Sequence, residues 1–285
     1  MKHETVAVVG AGVMGSDLAL DLAINGYNVI LKDLTDDHLV QARDRMRKTY
    51  SLVRMMRKGK LNQSLGELLD HIQCVTDYEA FSVASMVIEN ITENYEAKKT
   101  VYQELDGLCS DNVLYGIDTS CISITRLAAL MSHPENVIGM HFMNPVPLKP
   151  LVEVIRGHHT SEETLTRTKA FLSQLHKTVV VVNDMPGFVT NRVLMPMINE
   201  CIWLVADQVA HAKDVDRIFK MGFGHKMGPL ATADLIGLDT ILDSLLVLYE
   251  SYNDSKYRPC PLLRKMVDAG QLGVKSRQGF FEYGH

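Results

Sequence analysis

The hexapeptide Gly10-Ala11-Gly12-Val13-Met14-Gly15 lies between an apolar run, TVAVV at residues 5–9, and a helix-like stretch from Gly12 to Asn25. No other feature of the chain restricts its fold so strongly. The pattern GxGxxG is weak by itself, but here a strand ends at Val9 and a helix opens at Gly12. In that context Gly10 permits a tight turn, Gly12 admits a pyrophosphate close to the backbone, and Gly15 lets helix and strand pack closely. The helix N-terminus, with Val13 and Met14 in its first turn, offers N–H groups and the positive dipole end to phosphates. Gly26 stops the helix and NVILK at residues 28–32 forms a second strand, giving a right-handed βαβ unit near its minimum length. Asp33 then stands eighteen residues past Gly15, where a carboxylate meets the ribose hydroxyls. That carboxylate repels a 2′-phosphate, and Leu34 and Thr35 supply no arginine, so NAD is expected rather than NADP. A glycine-tolerant turn in some other α/β protein is the bland alternative, and it leaves the placement of Asp33 unexplained.

Further strand candidates are Met86–Glu89, Val113–Ile117, Val137–Phe142, Leu151–Ile155 and Thr178–Val182. Helical patterns at Asn94–Cys109, Ile124–Met131 and Ser161–Leu175 separate most of them, which implies an α/β, Rossmann-type doubly wound sheet. The link from His141 to Glu153 contains Pro145, Pro147 and Pro150 and has no room for a crossover helix, so its flanking strands are expected to be antiparallel. Past Asp184–Gly187 the pattern turns helical, at Phe188–Ala210, Ala212–Met221, Pro229–Ser251 and Pro261–Ala269, with one late strand at Gly279–Tyr283. The expected division is residues 1–185, an NAD-binding domain with a helical insertion, and residues 186–285, an all-α domain. The apolar faces of so small a helical domain suggest burial against a second subunit.

A formal net charge of −5 argues against nucleic acid as the main partner, and no apolar run is long enough for a membrane span. The N-terminus passes straight into a strand without a signal-peptide pattern. Cys74, Cys109, Cys121, Cys201 and Cys260 are scattered without CxxC spacing, so reduced thiols in a cytoplasmic protein are expected and no metal site is. Against the acidic average, eight of the 29 basic residues fall between Arg43 and Lys60. Such a run is either a solvated helical face or a site for a phosphorylated substrate handle or an acidic partner.

His141 and Glu153 are the two ionisable groups that strand packing does not require. Reversal of the chain near Pro147 would set them opposite each other. Histidine suits removal of a hydroxyl proton near neutrality, and a carboxylate on its other nitrogen fixes the tautomer. An isolated histidine is more often a satisfied core residue, but one paired with a glutamate beside a dinucleotide fold is better explained by chemistry.

Together these residues resemble the 3-hydroxyacyl-CoA dehydrogenases, most of all the short bacterial 3-hydroxybutyryl-CoA dehydrogenases, from end to end. The matching segments are VGAGVM at Val9–Met14, Glu93-Asn94 with Lys98, Thr119-Ser120, His141–Ile155, PGFVTNR at Pro186–Arg192, MGPLATADLIGLD at Met227–Asp239 and DSKYRPCPLLRK at Asp254–Lys265. The resemblance implies that His141 is the general base, Glu153 its orienting partner, and Ser120 and Asn191 the polar groups around the substrate oxygen. It implies further that Glu93, Lys98, Ser120, Asn144 and Lys275 serve the nicotinamide half of NAD or its phosphates. Arg54, Lys58 and Lys60 would hold the CoA adenine and phosphate end, and the helical domain would dimerise.

Four places depart from the family pattern. Ile117-Asp118 stands where Ser-Asn is usual, Met143 where a second aromatic is usual, Lys149-Pro150 where Met-Lys is usual, and Asn90 where a small residue is usual. An acid at Asp118 and a flexible Met143 suggest an acyl group smaller or more polar than butyryl. Relatives acting on a glyceryl or seryl group held by an acyl carrier protein use the same chemistry, in making hydroxymalonyl or aminomalonyl units for polyketide synthesis. The basic run could then meet that acidic partner. A non-catalytic NAD-binding protein is a third reading, which the presence of His141, Glu153, Ser120 and Asn191 disfavours.

Overall fold

The computed structural model describes residues 4–57 and 61–284. The chain divides into two compact units, Met1–Met185 and Pro186–His285. In chain order the first contains β1 (Thr5–Val9), α1 (Val13–Ile24), β2 (Asn28–Lys32), α2 (Asp36–Met56), α3 (Leu65–Asp70), β3 (Ile72–Val75), β4 (Met86–Glu89) and α4 (Tyr95–Leu105). It continues with β5 (Leu114–Ile117), α5 (Ile124–Ala128), β6 (Val137–Phe142), β7 (Leu151–Arg156), α6 (Glu162–Gln174) and β8 (Thr178–Asn183).

All eight strands form one sheet in the order β3-β2-β1-β4-β5-β6-β7-β8. Every pairing is parallel except β6 with β7. Strand order reverses between β1 and β4, which opens a crevice at the carboxyl ends of these strands, the usual dinucleotide position in such sheets. Because β7 runs against β6, the start of β7 lies at the same sheet edge as the end of β6. The strands read as near-continuous apolar runs because helices cover both faces, with Val6, Val8, Leu18, Leu22, Leu31, Ile88, Ile138 and Leu172 all buried in one core.

Local rules account for the ends of the elements. After α1 the chain turns through Gly26 at φ 85°, while Gly26 N–H bonds Ala23 C=O and Tyr27 N–H bonds Leu22 C=O, closing the helix. Thr35 caps α2 by accepting from His38 N–H, with Asp36 and Asp37 in its first turn against the helix dipole. A short strand that the periodicity does not announce, β3, pairs with β2 at the sheet edge.

The second unit holds α7 (Thr190–Ala206), α8 (Ala212–Gly222), α9 (Pro229–Ile236), α10 (Leu238–Tyr252) and α11 (Pro261–Asp268) around Ile198, Ile202, Leu230, Leu238, Ile241, Leu245 and Leu263. Two expectations are corrected here. The stretch Pro229–Ser251 is two helices, broken at Gly237, whose φ of 109° no helix accommodates. Gly279–Tyr283 is not a strand; only isolated bridges join Gly273 to Gln278 and Gln278 to Glu282. Asp234 on α9 takes the N–H groups of Phe280 and Phe281 at 3.0 and 2.9 Å, donors that a partner strand would otherwise need. Among the described residues no helix is long and apolar enough to cross a membrane.

Candidate active site

The glycine turn has the shape its spacing predicts. Gly10 sits at φ 95°, and a Cβ there would lie 2.7 Å from Asn90 C=O. A Cβ on Gly15 would lie 1.8 Å from Gly10 C=O, whereas one on Gly12 would meet nothing within 4 Å and project into open space. That space is the cradle a pyrophosphate requires, and any side chain on Gly12 would fill it. Val13, Met14 and Gly15 precede the first hydrogen bond of α1, Ser16 N–H to Gly12 C=O at 3.0 Å, so their N–H groups are the orphan donors of the helix start. The Oδ1 of buried Asn90, beneath this turn, has no hydrogen-bond partner among the described residues. Open space and orphan donors fit a bound dinucleotide.

Asp33 lies beside this turn. Its Oδ2 accepts from Ala11 N–H at 2.6 Å, and its Oδ1 from Leu34 N–H at 2.7 Å, with His38 Nδ1 2.8 Å from the same oxygen. Burial works to raise the Asp33 carboxyl, but these two backbone bonds and His38 outweigh it and hold the group below its ordinary range. His38 sits in the first turn of α2, where no periodic or motif signal in the sequence marks it.

Past β4 and β5 the chain forms a buried polar cluster. Lys98 on α4 is fully buried, with Nζ 2.7 and 2.9 Å from the two carboxylate oxygens of Glu89 and 3.1 Å from Asp118 C=O. Its three donors are taken by Glu89 and the Asp118 carbonyl. Glu93 Oε1 accepts from Thr119 Oγ at 2.6 Å, Ser120 N–H at 3.1 Å and Cys121 N–H at 2.9 Å. This ties down the loop that carries Ser120.

His141 is the penultimate residue of β6 and Glu153 lies near the start of β7, directly opposite in the antiparallel register. His141 Nδ1 is 2.8 Å from Glu153 Oε2, and Nε2 is 3.2 Å from Ser120 Oγ. A carboxylate beside Nδ1 keeps the ring proton there, which leaves the Nε2 lone pair toward Ser120 and any hydroxyl placed beside it. Glu153 and His141 are buried, at 3% and 8% exposure, so water competes little for the pair.

Asn144 is exposed at the start of the proline loop. That loop is held from three sides. Asp17 on α1 accepts from Val146 N–H at 3.3 Å, Arg57 donates to Pro147 C=O at 3.0 Å, and Lys177 donates to Val146 and Lys149 C=O at 2.6 and 3.2 Å. Lys177 also pairs with buried Asp21 at 2.7 Å. Three members of the basic run thus have structural partners: Arg57 here, Arg45 on Ala11 C=O at 3.1 Å, and Arg47 on Asp44 at 2.6 Å. Arg54 is exposed in the last turn of α2, and Lys58 and Lys60 lie outside the described residues.

Asn191 and Lys275 belong to the second unit. Asn191 is buried in the first turn of α7, and Lys275 pairs with Asp239 Oδ2 at 2.5 Å. Asp118 Oδ1 accepts from Phe142 N–H at 3.2 Å, and the residue is 9% exposed.

Comparison with known proteins agrees over the whole chain. Residues 5–185 match the family described as 3-hydroxyacyl-CoA dehydrogenase, NAD binding domain, and residues 187–283 match its C-terminal domain. A probable 3-hydroxybutyryl-CoA dehydrogenase of Bacillus subtilis is 45% identical over 99% of this chain and 98% of its own. A 3-hydroxybutyryl-CoA dehydrogenase of Clostridioides difficile is 41% identical, over 98% of this chain and 99% of its own. Among solved structures, an (S)-3-hydroxybutyryl-CoA dehydrogenase from Ralstonia eutropha matches with a TM-score of 0.91 and 39% identity, covering 100% of both chains.

Proposed function

The chain belongs to the 3-hydroxyacyl-CoA dehydrogenase family and is an NAD-dependent oxidoreductase, and from that premise we propose that it oxidises the 3-hydroxyl of short 3-hydroxyacyl-CoA thioesters, of the 3-hydroxybutyryl kind, to the 3-oxo compounds. The observation that carries this reading is the chain Glu153–His141–Ser120, its first two members buried, with contacts of 2.8 and 3.2 Å at the carboxyl end of the sheet.

NAD, when bound, supplies the hydride acceptor, and the protein's own groups handle the proton and the geometry. Nε2 of His141 takes the hydroxyl proton as the C3–H bond breaks. Glu153 holds the ring in the tautomer that leaves Nε2 basic and stabilises the imidazolium that forms. Ser120 donates toward the substrate oxygen and orients it; Asn191, by the family resemblance, is proposed as a further polar group for the substrate. Glu93 and Lys98 act behind Ser120, the one through the 119–121 loop and the other through Glu89 and Asp118 C=O. Gly10, Gly12, Val13, Met14, Gly15 and Asp33 would hold the adenosine and pyrophosphate of NAD, with Asn144 and Lys275 at the nicotinamide half.

Arg54, with Lys58 and Lys60, is proposed for the CoA phosphates, and a homodimer through the helical unit is supported by exposed Ile218, Met221 and Phe223 on and just beyond α8. A cytoplasmic setting accords with the free cysteines. The test is NADH oxidation with acetoacetyl-CoA, set against acetoacetyl-loaded acyl carrier protein. A higher kcat/KM with CoA is expected; equal or better turnover of the carrier-bound substrate would overturn the assignment of the handle.

A further inference from the structure

The loop that carries Ser120 runs from the end of β5 into α5, and two carboxylates from elsewhere in the chain hold its donors. Glu93 takes a hydroxyl and two successive N–H groups, those of Thr119, Ser120 and Cys121. Asp184 repeats that pattern on the residues that follow. Its Oδ2 accepts from Ser123 Oγ at 2.8 Å and Thr125 N–H at 2.7 Å, and its Oδ1 from Ile124 N–H at 3.1 Å. Between the two grips Ile122 N–H bonds Thr119 Oγ at 3.0 Å, which joins one to the other.

Asp184 is itself fixed to the sheet. It follows β8, and its N–H bonds Arg156 C=O at 3.2 Å, one step past the pairing of Arg156 with Asn183. α5 already has Ser123 as its cap, accepting from Arg126 N–H at 3.2 Å. What the carboxylate adds, from 59 to 61 positions away in the chain, is an anchor for the start of α5 on the end of the β7–β8 ladder. A loop gripped at one end can pivot about it, whereas one gripped at both ends cannot. Ser120 Oγ lies inside the gripped segment, 3.2 Å from His141 Nε2. A shift of roughly 1 Å there would cost on the order of a hundredfold in rate.

We propose that Asp184 is a positioning residue for Ser120, gripping the 119–125 segment from the side opposite Glu93 and so holding the serine hydroxyl beside His141. This rests on the reading of Ser120 as the group that orients the substrate oxygen.

The test is a double-mutant cycle of Asp184→Ala with Ser120→Ala, read as kcat for NAD-dependent oxidation of 3-hydroxybutyryl-CoA, with the NAD Kd and thermal midpoint of each variant. Asp184→Ala should lower kcat about tenfold or more and leave the NAD Kd within about twofold of the wild type. In the Ser120→Ala background the same change should cost less than about twofold, because no hydroxyl remains to be placed. Losses that multiply in the double variant would overturn the proposal, as would an unaltered kcat in Asp184→Ala. Should Asp184→Ala fail to fold, Asp184→Asn, which keeps the shape and one acceptor oxygen, takes its place in the cycle under the same criteria. Ser120→Ala with wild-type kcat would contradict the functional reading of that serine and overturn the proposal with it. A wild type without NAD-dependent turnover would contradict the functional reading by itself, and amide exchange would then decide on Asp184. Exchange at Ser120 and Cys121, whose own acceptor is Glu93, should quicken about tenfold or more in the Asp184 variant. Acceleration confined to Ile124 and Thr125 would overturn the proposal and leave Asp184 a local cap of α5.

Discussion

Glu153 Oε2 and His141 Nδ1 lie 2.8 Å apart because the two residues are register partners in the antiparallel pair of an otherwise parallel sheet. A pair set by strand register rather than by loops is rigid, and its geometry changes little with substrate. Glu153→Gln should therefore leave the fold and NAD affinity intact while lowering kcat by about a hundredfold or more, the scale expected when the charge behind a catalytic histidine is removed. Steady-state kinetics with a separate NAD titration distinguishes this from a loss of cofactor binding.

Asp33 makes a prediction about the cofactor. Its carboxylate is held ionised by Ala11 and Leu34 N–H groups and by His38, so NAD affinity should not weaken between about pH 8 and pH 5 on its account. Asp33→Ala removes acceptors for the ribose hydroxyls and should raise the NAD Kd roughly ten- to a hundredfold. It should also narrow the preference over NADP. Fluorescence titration with both cofactors measures the two effects.

The Lys98–Glu89 pair is fully buried on both sides. Lys98→Met would leave Glu89 as an uncompensated buried acid and should cost about 3–5 kcal/mol of stability. Adding Glu89→Gln should recover part of that loss. Urea unfolding of the single and double variants provides the comparison, and additive losses would contradict the pairing.

Asp118 should set a pH dependence of stability. Its folded carboxyl, near 7, stands above the ordinary value of 3.8, so between these limits the native state holds a proton that the unfolded chain has lost. That contribution favours the native state at low pH and is lost as pH rises through about 7. Asp118→Asn does not bear the cost of the buried charge, so its stability relative to wild type should be greatest above about pH 7. The gain should be roughly 2–4 kcal/mol, shrinking toward zero near about pH 4. Unfolding free energies at several pH values report this directly.

The residues legible in the sequence are those whose role depends on local order. Gly10, Gly12 and Gly15 announce the turn through spacing, and Asp33 is placed by the strand it follows. The prolines between His141 and Glu153 leave the chain no option but to reverse, which fixes their facing register. What stayed hidden depends on contacts far apart in the chain. Asp17 meets Val146 across 129 positions and Arg57 meets Pro147 across 90, so nothing local marks either as a support of the proline loop. Lys98 matched a family motif, but its commitment to Glu89 follows from burial that no periodicity reveals. The direction of the Asp118 side chain depends on where β6 ends beside β5. Gly237 inside an apolar helical pattern could equally be tolerated within a helix, and only its positive φ exposes the break.

The proposed function requires His141 to be the proton acceptor in an NAD-dependent oxidation of a 3-hydroxyacyl thioester. NADH formation from 3-hydroxybutyryl-CoA by the wild type and His141→Gln at saturating NAD, with the NAD Kd of each measured separately, tests it most directly. Turnover by the wild type is expected, with a loss of about a thousandfold or more in kcat for His141→Gln and an essentially unchanged Kd for NAD. A His141→Gln enzyme that turns over within about tenfold of the wild type would contradict it, since a general base contributes more than that.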